Sequence, residues 1–391
     1  MTDFESLTPQ ALRARGSQKW NRFDASILPM WIAEADFPTA PAILEAVQRC
    51  VANEAFGYAQ VDRRVPEAFA AFASRRLNMT INPDWTTVIR DVLAGVELAI
   101  ETFAPAGAPV VVPTPSYMPF LSIPGMIDRE LVEVPLLEAP RAATVAERWA
   151  LDLAGIERAF AAGARSIIFC QPFNPVGKVF TADEMHALAE LAARHDAWVI
   201  SDEIHAPLTM PGVPHLAFSE ASELAASRCI TVTSASKTFT LPGLPCATLT
   251  LHTEQNARHF ARTAPHGHIY GATTLGIEAN IAAYTSCDDW LDGAVAQISQ
   301  NSHRLKGWLE ENLSEVGYTP ADGTYFAWLD WRGLGIDGDV AEWLKERGKI
   351  WMNSGAAFGA PGVGFTRMNL ATTSAILEHG MQRLRTAVES R

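Results

Sequence analysis

A lysine framed by small hydroxyl residues, Ser234-Ala235-Ser236-Lys237-Thr238-Phe239, follows the apolar run Cys229-Ile230-Thr231-Val232-Thr233. An amine delivered at a strand end, with hydroxyl donors beside it, suits a Schiff base to an aldehyde cofactor that also bears a phosphate. A surface lysine in a Ser/Thr loop would read the same way on its own, but two further segments accompany it. In Phe169-Cys170-Gln171-Pro172-Phe173-Asn174-Pro175-Val176-Gly177, Asn174 sits in a turn stiffened by prolines, its amide free to donate to a ring oxygen. In Trp198-Val199-Ile200-Ser201-Asp202-Glu203-Ile204-His205 an apolar strand ends in acids and a histidine. Pyridoxal phosphate needs this set. A carboxylate such as Asp202 beside the pyridine nitrogen keeps the ring protonated and a better electron sink, and Asn174 and His205 can share donation to the phenolic oxygen.

These residues must be held at strand ends, and the chain supplies the strands. Between about residues 90 and 260, short apolar runs alternate with helical stretches: Val110–Val112, Leu131–Val134, Ser166–Phe169, Trp198–Ile200, Ile230–Thr233 and Ala247–Leu251. Runs apolar on both faces with helices between them predict an α/β fold with a mostly parallel sheet covered on both sides. Thr181 with Glu184 three residues later is a capping box, and Met185, Leu188, Ala189 and Ala192 continue it as a helical stripe. Asp288 is expected to cap a second long helix, with Tyr325–Leu329 as a strand and Val340–Arg347 as a helix beyond it. The expected division is an N-terminal arm, 1–45, which joins the small domain, a large cofactor-binding domain, 46–285, and a small α+β domain, 286–391.

Three more groups can complete a site. Ala94-Gly95-Val96-Glu97 precedes the apolar run Leu98 to Phe103, and Gly95 and Val96 are expected to bring backbone N–H groups to the phosphate, with hydroxyls from Ser234 and Ser236. Tyr117, in the rigid loop Pro113 to Phe120, can stack on the pyridine ring. Arg367, beside an apolar strand, can grip the α-carboxylate of an amino-acid substrate in a bidentate fork.

Composition narrows the rest. The 391 residues carry a formal net charge of −13 with no Lys/Arg-rich run, which argues against nucleic acid or an anionic membrane as partner. The five scattered cysteines read as buried thiols in a reducing compartment, with no metal-ligand spacing. Met1 to Asp24 lacks an apolar signal core and no run of 18 apolar residues occurs, so the expected location is the cytoplasm.

The order Asn174, Asp202, Lys237 resembles the fold-type I pyridoxal phosphate enzymes of the aminotransferase class I/II superfamily. Lys19-Trp20, Leu28-Pro29-Met30-Trp31-Ile32-Ala33-Glu34-Ala35-Asp36-Phe37, Lys237-Thr238-Phe239 with Gly243-Leu244, Gly323 to Asp330, and Phe358-Gly359 with Gly364-Phe365 and Asn369 are similar to the cystathionine β-lyase (C–S lyase) group. That group includes a modulator of a maltose regulon. The resemblance implies a homodimer in which Tyr58, in Phe56-Gly57-Tyr58-Ala59, reaches the neighbouring subunit's phosphate, and it puts Ala33 beside the substrate. Most aminotransferases of the superfamily hold the phosphate with an arginine eight residues after the lysine. Pro245 stands there in this chain, a loss shared with the lyase group. Glu34-Ala35-Asp36-Phe37 and Ala371-Thr372-Thr373 depart from the group's Asp-Met-Asp-Phe and Ala-Cys-Pro, both near the expected substrate side.

The expected reaction is β-elimination on cystathionine or another S-substituted L-cysteine, with Lys237 taking the Cα proton and Arg367 holding the carboxylate. Two alternatives stand beside it: an aminotransferase of the same fold, and a regulatory protein that binds a transcription factor.

Overall fold

The apolar runs between residues 86 and 251 assemble into one seven-stranded sheet in the computed structural model, which describes residues 2–60, 62–140, 142–265 and 269–391. The strands are β1 (Leu28–Pro29), β2 (Thr86–Ile89), β3 (Val110–Thr114), β4 (Leu131–Pro135), β5 (Leu137–Glu138), β6 (Trp149–Ala150), β7 (Ser166–Cys170), β8 (Trp198–Asp202), β9 (Cys229–Thr233), β10 (Ala247–Leu251), β11 (Phe326–Asp330), β12 (Ile350–Trp351), β13 (Asn353–Ser354) and β14 (Phe365–Asn369). The main sheet runs β2-β10-β9-β8-β7-β3-β4, and only β10 is antiparallel to its neighbours. All six expected strands are present. The edge strand β2 was not expected, because Thr86-Thr87-Val88-Ile89 is short and half polar.

Every residue of β3, β7, β9 and β10 is buried. Since successive side chains point to opposite faces, both faces of the sheet must be covered. Helix Val92–Phe103 packs on β8, β9 and β10, and helix Ala182–Arg194 packs on β8. The latter starts with the expected capping box: Glu184 N donates to Thr181 Oγ1 (3.3 Å) and Thr181 N donates back to Glu184 Oε2 (3.0 Å).

Strands β11, β14 and β13 form a separate antiparallel sheet. Among its surroundings are helices Asp288–Asn312, Val340–Gly348 and Ser374–Glu389. Asp288 lies in the first turn of its helix rather than at the cap, which is Cys287, and its carboxylate accepts from Arg75 Nε at 2.6 Å. The N-terminal arm joins this part of the molecule directly. β1 pairs in parallel with β12, and Asn369 N donates to Met30 O at 2.8 Å.

Two polar clusters fix how these pieces sit. Lys19 and Asp36, both essentially inaccessible, form an ion pair at 2.8 Å, and Trp20 Nε1 donates to the other Asp36 oxygen at 2.6 Å. Near the β5–β6 hairpin, Arg148 pairs with both Glu138 and Asp330 at 2.8 Å, and Arg332 pairs with the same two acids. All five cysteines are free and buried. No described helix is long and apolar enough to cross a membrane, and no described group of three or more His, Cys, Asp or Glu side chains could hold a metal ion.

Candidate active site

The adjacent parallel strands β7, β8 and β9 end on the same side of the sheet, and their C-terminal ends lead into Asn174, Asp202 and Lys237. Lys237 rides on the short helix Ala235–Thr238. Ser234 caps that helix: its Oγ accepts from Ser236 N (3.1 Å) and donates to Cys246 O on the neighbouring segment (2.7 Å). The sequence therefore uses Ser234 to aim the lysine, which leaves Ser236 as the hydroxyl without such an engagement.

A cavity of about 210 Å³ is lined by Ala33, Tyr117, Asn174, Asp202, His205, Ser234, Ser236 and Lys237, which brings together most of the residues expected from sequence. A second cavity of about 570 Å³ shares Ala33, Leu93, Tyr117 and Lys237 with the first and adds Arg367, Asn353, Trp31 and Met118. Lys237 thus stands at the boundary between two spaces. Its Nζ donates to Ala33 O at 3.4 Å.

Arg367 is 2% exposed and reaches the first cavity through Asn174: Nη1 donates to Asn174 Oδ1 at 2.8 Å. Nη2 donates to Asn353 Oδ1 (2.9 Å) and Trp31 O (3.3 Å), and the guanidinium lies 3.9 Å from the ring centre of Phe326. Its Nε is buried with no acceptor. With Asn174 Oδ1 engaged by Arg367, the Asn174 amide nitrogen is left to donate elsewhere.

Burial dominates the electrostatics. It drives the Lys237 ammonium down to about 8, with the Arg367 cation adding to the effect and Asp202 and Glu34 opposing it. Asp202 is pushed up to about 7, chiefly by burial, against a hydrogen bond from Ile204 N (3.0 Å). Among the described residues, its Oδ2 has only the Cys170 thiol, at 3.9 Å. His205 is pushed down to about 3 by burial, then by Lys237 and Arg367, so it is neutral at ordinary pH, and its Nδ1 is buried without a partner. Burial also brings Arg367 down to about 10 and raises Tyr117. Glu203, next to Asp202, is bound into the structure by Ser201, His215 and Phe218 N.

Gly95 and Val96 are not where the sequence reading put them. Helix Val92–Phe103 begins ahead of Ala94–Glu97 rather than after them, capped by Asp91, whose Oδ1 accepts from Ala94 N at 2.9 Å. Gly95 N donates to Asp91 O inside the helix, and a Cβ on Gly95 would lie 2.5 Å from Ile89 Cδ1 and 2.9 Å from Val232 Cγ1. Gly95 therefore allows the helix to press against the sheet, and Val96 is a core residue. The first-turn residues lining the cavity are Val92 and Leu93, whose amides have no partner within the helix. Asp91, an ordinary N-cap residue ahead of an apolar run, was the sequence signal that could have located them. Tyr58 is fully exposed and does not line its own chain's cavity.

This set fits pyridoxal phosphate. A buried carboxylate lacking a strong partner can accept a hydrogen bond from a protonated pyridine nitrogen, Asn174 offers a donor, Lys237 offers a buried amine, and a helix N-terminus with Ser236 can take the phosphate.

The fold and site define a member of the aminotransferase class I and II family: the family pattern matches residues 28–384, and the chain belongs to that family. Within it, the chain is 36% identical over 378 residues to the cystathionine beta-lyase of Corynebacterium glutamicum, covering 96% of this chain and 97% of that one. Among solved structures, one from Corynebacterium diphtheriae named as a PLP-dependent beta-cystathionase superposes with a TM-score of 0.92 at 37% identity, covering 100% of this chain and 99% of its own. Cystalysin from Treponema denticola, which contains pyridoxal 5'-phosphate, superposes at 0.89 with 27% identity, covering 100% and 99%.

Proposed function

We propose that this chain is a pyridoxal-phosphate-dependent carbon–sulfur β-lyase that cleaves cystathionine or other S-substituted L-cysteines to a thiol, pyruvate and ammonia. Bound in the first cavity, pyridoxal phosphate supplies an electron sink for the bond electrons released at the substrate Cα. Asp202 holds the proton on the ring nitrogen, and Asn174 and His205 serve the phenolic oxygen. Val92 N–H, Leu93 N–H and Ser236 receive the phosphate, and Tyr117 stacks on the ring. Lys237 would anchor the group through Nζ, and its free amine is the base placed to take the substrate's Cα proton. Arg367 holds the α-carboxylate with the Nε–H that lacks an acceptor. Loss of the thiolate from Cβ leaves an enamine that water hydrolyses to pyruvate and ammonia.

The observation that carries this reading is the 2.8 Å link from Arg367 to Asn174. It ties the cation for a substrate carboxylate to the residue facing the ring, so the substrate's Cα is held at the boundary where Lys237 sits. The working unit is a homodimer in the cytoplasm: Tyr58, exposed at its full extent, is available to a neighbouring subunit's phosphate, and the buried free thiols suit a reducing compartment. The three-part division at residues 45 and 285 is likewise part of this proposal.

Pyruvate release from an S-alkyl cysteine, with no keto acid added, tests the reaction. Steady turnover supports the lyase; dependence on a keto acid would make the chain an aminotransferase. Lys237→Ala is expected to abolish turnover and the borohydride-sensitive absorbance band.

A further inference from the structure

We propose that Arg90 is the cation that holds the cofactor's phosphate in this chain. The inference rests on the cofactor assignment above and goes beyond the groups that assignment uses.

A phosphate ester brings between one and two negative charges into a partly desolvated cavity, and such a group is held best by charge-assisted hydrogen bonds. Pro245, on the cavity wall, offers no donor at all. Of the described residues lining that cavity only Lys237 and Arg90 have cationic side chains at neutral pH, and Lys237 is committed to the aldehyde carbon. His205 is buried as the neutral imidazole. Among the described residues, Arg90 is therefore the lining cation available to the phosphate.

Its geometry suits the task. Arg90 directly precedes Asp91, the cap of helix Val92–Phe103, so its side chain leaves the backbone at the end where Val92 and Leu93 present their amides. Arg90 Nε donates to Asp91 Oδ2 at 2.7 Å, while Asp91 Oδ1 accepts from Ala94 N. The cap carboxylate thus holds the guanidinium by its Nε edge and leaves the terminal nitrogens to another anion. Gly271 packs against the stem: a Cβ there would lie 3.0–3.2 Å from Arg90 Cβ, Cγ and Cδ. An acidic cap beside a phosphate is electrostatically unfavourable, and Arg90 also offsets that charge.

The test titrates cofactor-free protein with pyridoxal phosphate and with pyridoxal, which lacks the phosphate, following absorbance and tryptophan fluorescence. Arg90→Gln is expected to raise the Kd for pyridoxal phosphate by about 10- to 100-fold while leaving that for pyridoxal within about two-fold. Arg90→Lys should fall between, and Asp91→Asn, which keeps an N-cap, should tighten pyridoxal phosphate only. An unchanged Kd for pyridoxal phosphate in Arg90→Gln overturns the proposal. So does an equal weakening of both ligands, which would mark a structural role. If the wild-type protein binds neither ligand, the cofactor assignment falls and takes this inference with it.

Discussion

Lys237 Nζ meets the carbonyl oxygen of Ala33, 204 positions earlier in the chain, at 3.4 Å. The contact places the N-terminal arm at the reactive amine. The arm is held there by Asn369, whose Nδ2 donates to Ile32 O (2.7 Å) and Glu34 O (2.9 Å), and by Lys19, which bridges Glu34 O (2.9 Å) and the Asp36 carboxylate (2.8 Å). The group signature Lys19-Trp20 … Asp36 is thus a buried clasp that sets the position of Ala33.

Breaking that clasp by Asp36→Asn leaves a buried ammonium without its counter-charge, which costs about 3–5 kcal/mol. Urea denaturation should show this loss, and the double variant Lys19→Met/Asp36→Asn should recover part of it. If Asp36→Asn unfolds at the wild-type midpoint, the clasp has no structural weight.

The Lys237 amine should react as a nucleophile at lower pH than an ordinary lysine. Its folded value of about 8 lies below the ordinary 10.5, so above about pH 8 the neutral amine predominates. Between those values the unfolded chain binds more protons at this site, and the stability of the cofactor-free protein gains from this residue as pH rises. The rate at which cofactor-free protein combines with pyridoxal phosphate should rise through a midpoint near 8. Arg367→Met removes a cation that depresses the amine, so its midpoint should move upward.

Asp202 gives the opposite slope. In the cofactor-free protein it is raised from 3.8 to about 7, so the folded state binds more protons there, and its contribution to stability falls as pH rises through that window. Asp202→Asn has no charge to desolvate and its Oδ1 can still accept from Ile204 N. Thermal scans of cofactor-free protein should show the variant gaining on the wild type as pH goes from 4 to 8. Its lyase activity should nevertheless fall by about two orders of magnitude or more, because the ring-nitrogen proton loses its counter-charge.

Gly95→Ala separates packing from phosphate binding. The added methyl must displace Ile89 and Val232 in the core, at a cost of about 1–3 kcal/mol. The melting temperature should drop, while the ratio of affinities for pyridoxal phosphate and pyridoxal stays at the wild-type value. A selective loss of pyridoxal phosphate would return Gly95 to the phosphate site.

Arg367→Lys should lower kcat/KM by about 100-fold or more, since a point charge replaces a planar fork held by Asn174, Asn353 and the Phe326 ring. A change of less than three-fold would remove Arg367 from the carboxylate site.

The sheet was legible because strands buried on both faces are continuous apolar runs, and the residues at their ends could be read off directly. Asn174, Asp202, Ser236 and Lys237 follow from this. Helix starts are marked by single side chains, and there the reading slipped: Gly95 looked like a phosphate turn because a lone glycine before apolar residues has the same pattern whether it approaches a ligand or a strand. Contacts between distant segments left no local trace. Nothing in Trp31 or Asn353 announces that they bracket Arg367, and Arg90 is an ordinary arginine until the fold brings Pro245 to the same wall.

An enzyme that liberates thiols works amid its own potential modifiers, since a released thiol that oxidises yields disulfides able to exchange with any accessible cysteine. This chain offers none: Cys50, Cys170, Cys229, Cys246 and Cys287 are all buried. Cys170, beside Asp202, also has its thiol pushed up by burial and by that carboxylate, which keeps it protonated and unreactive. The folded protein is thereby insulated from the sulfur chemistry of its own product, and its thiols become targets only when the fold opens.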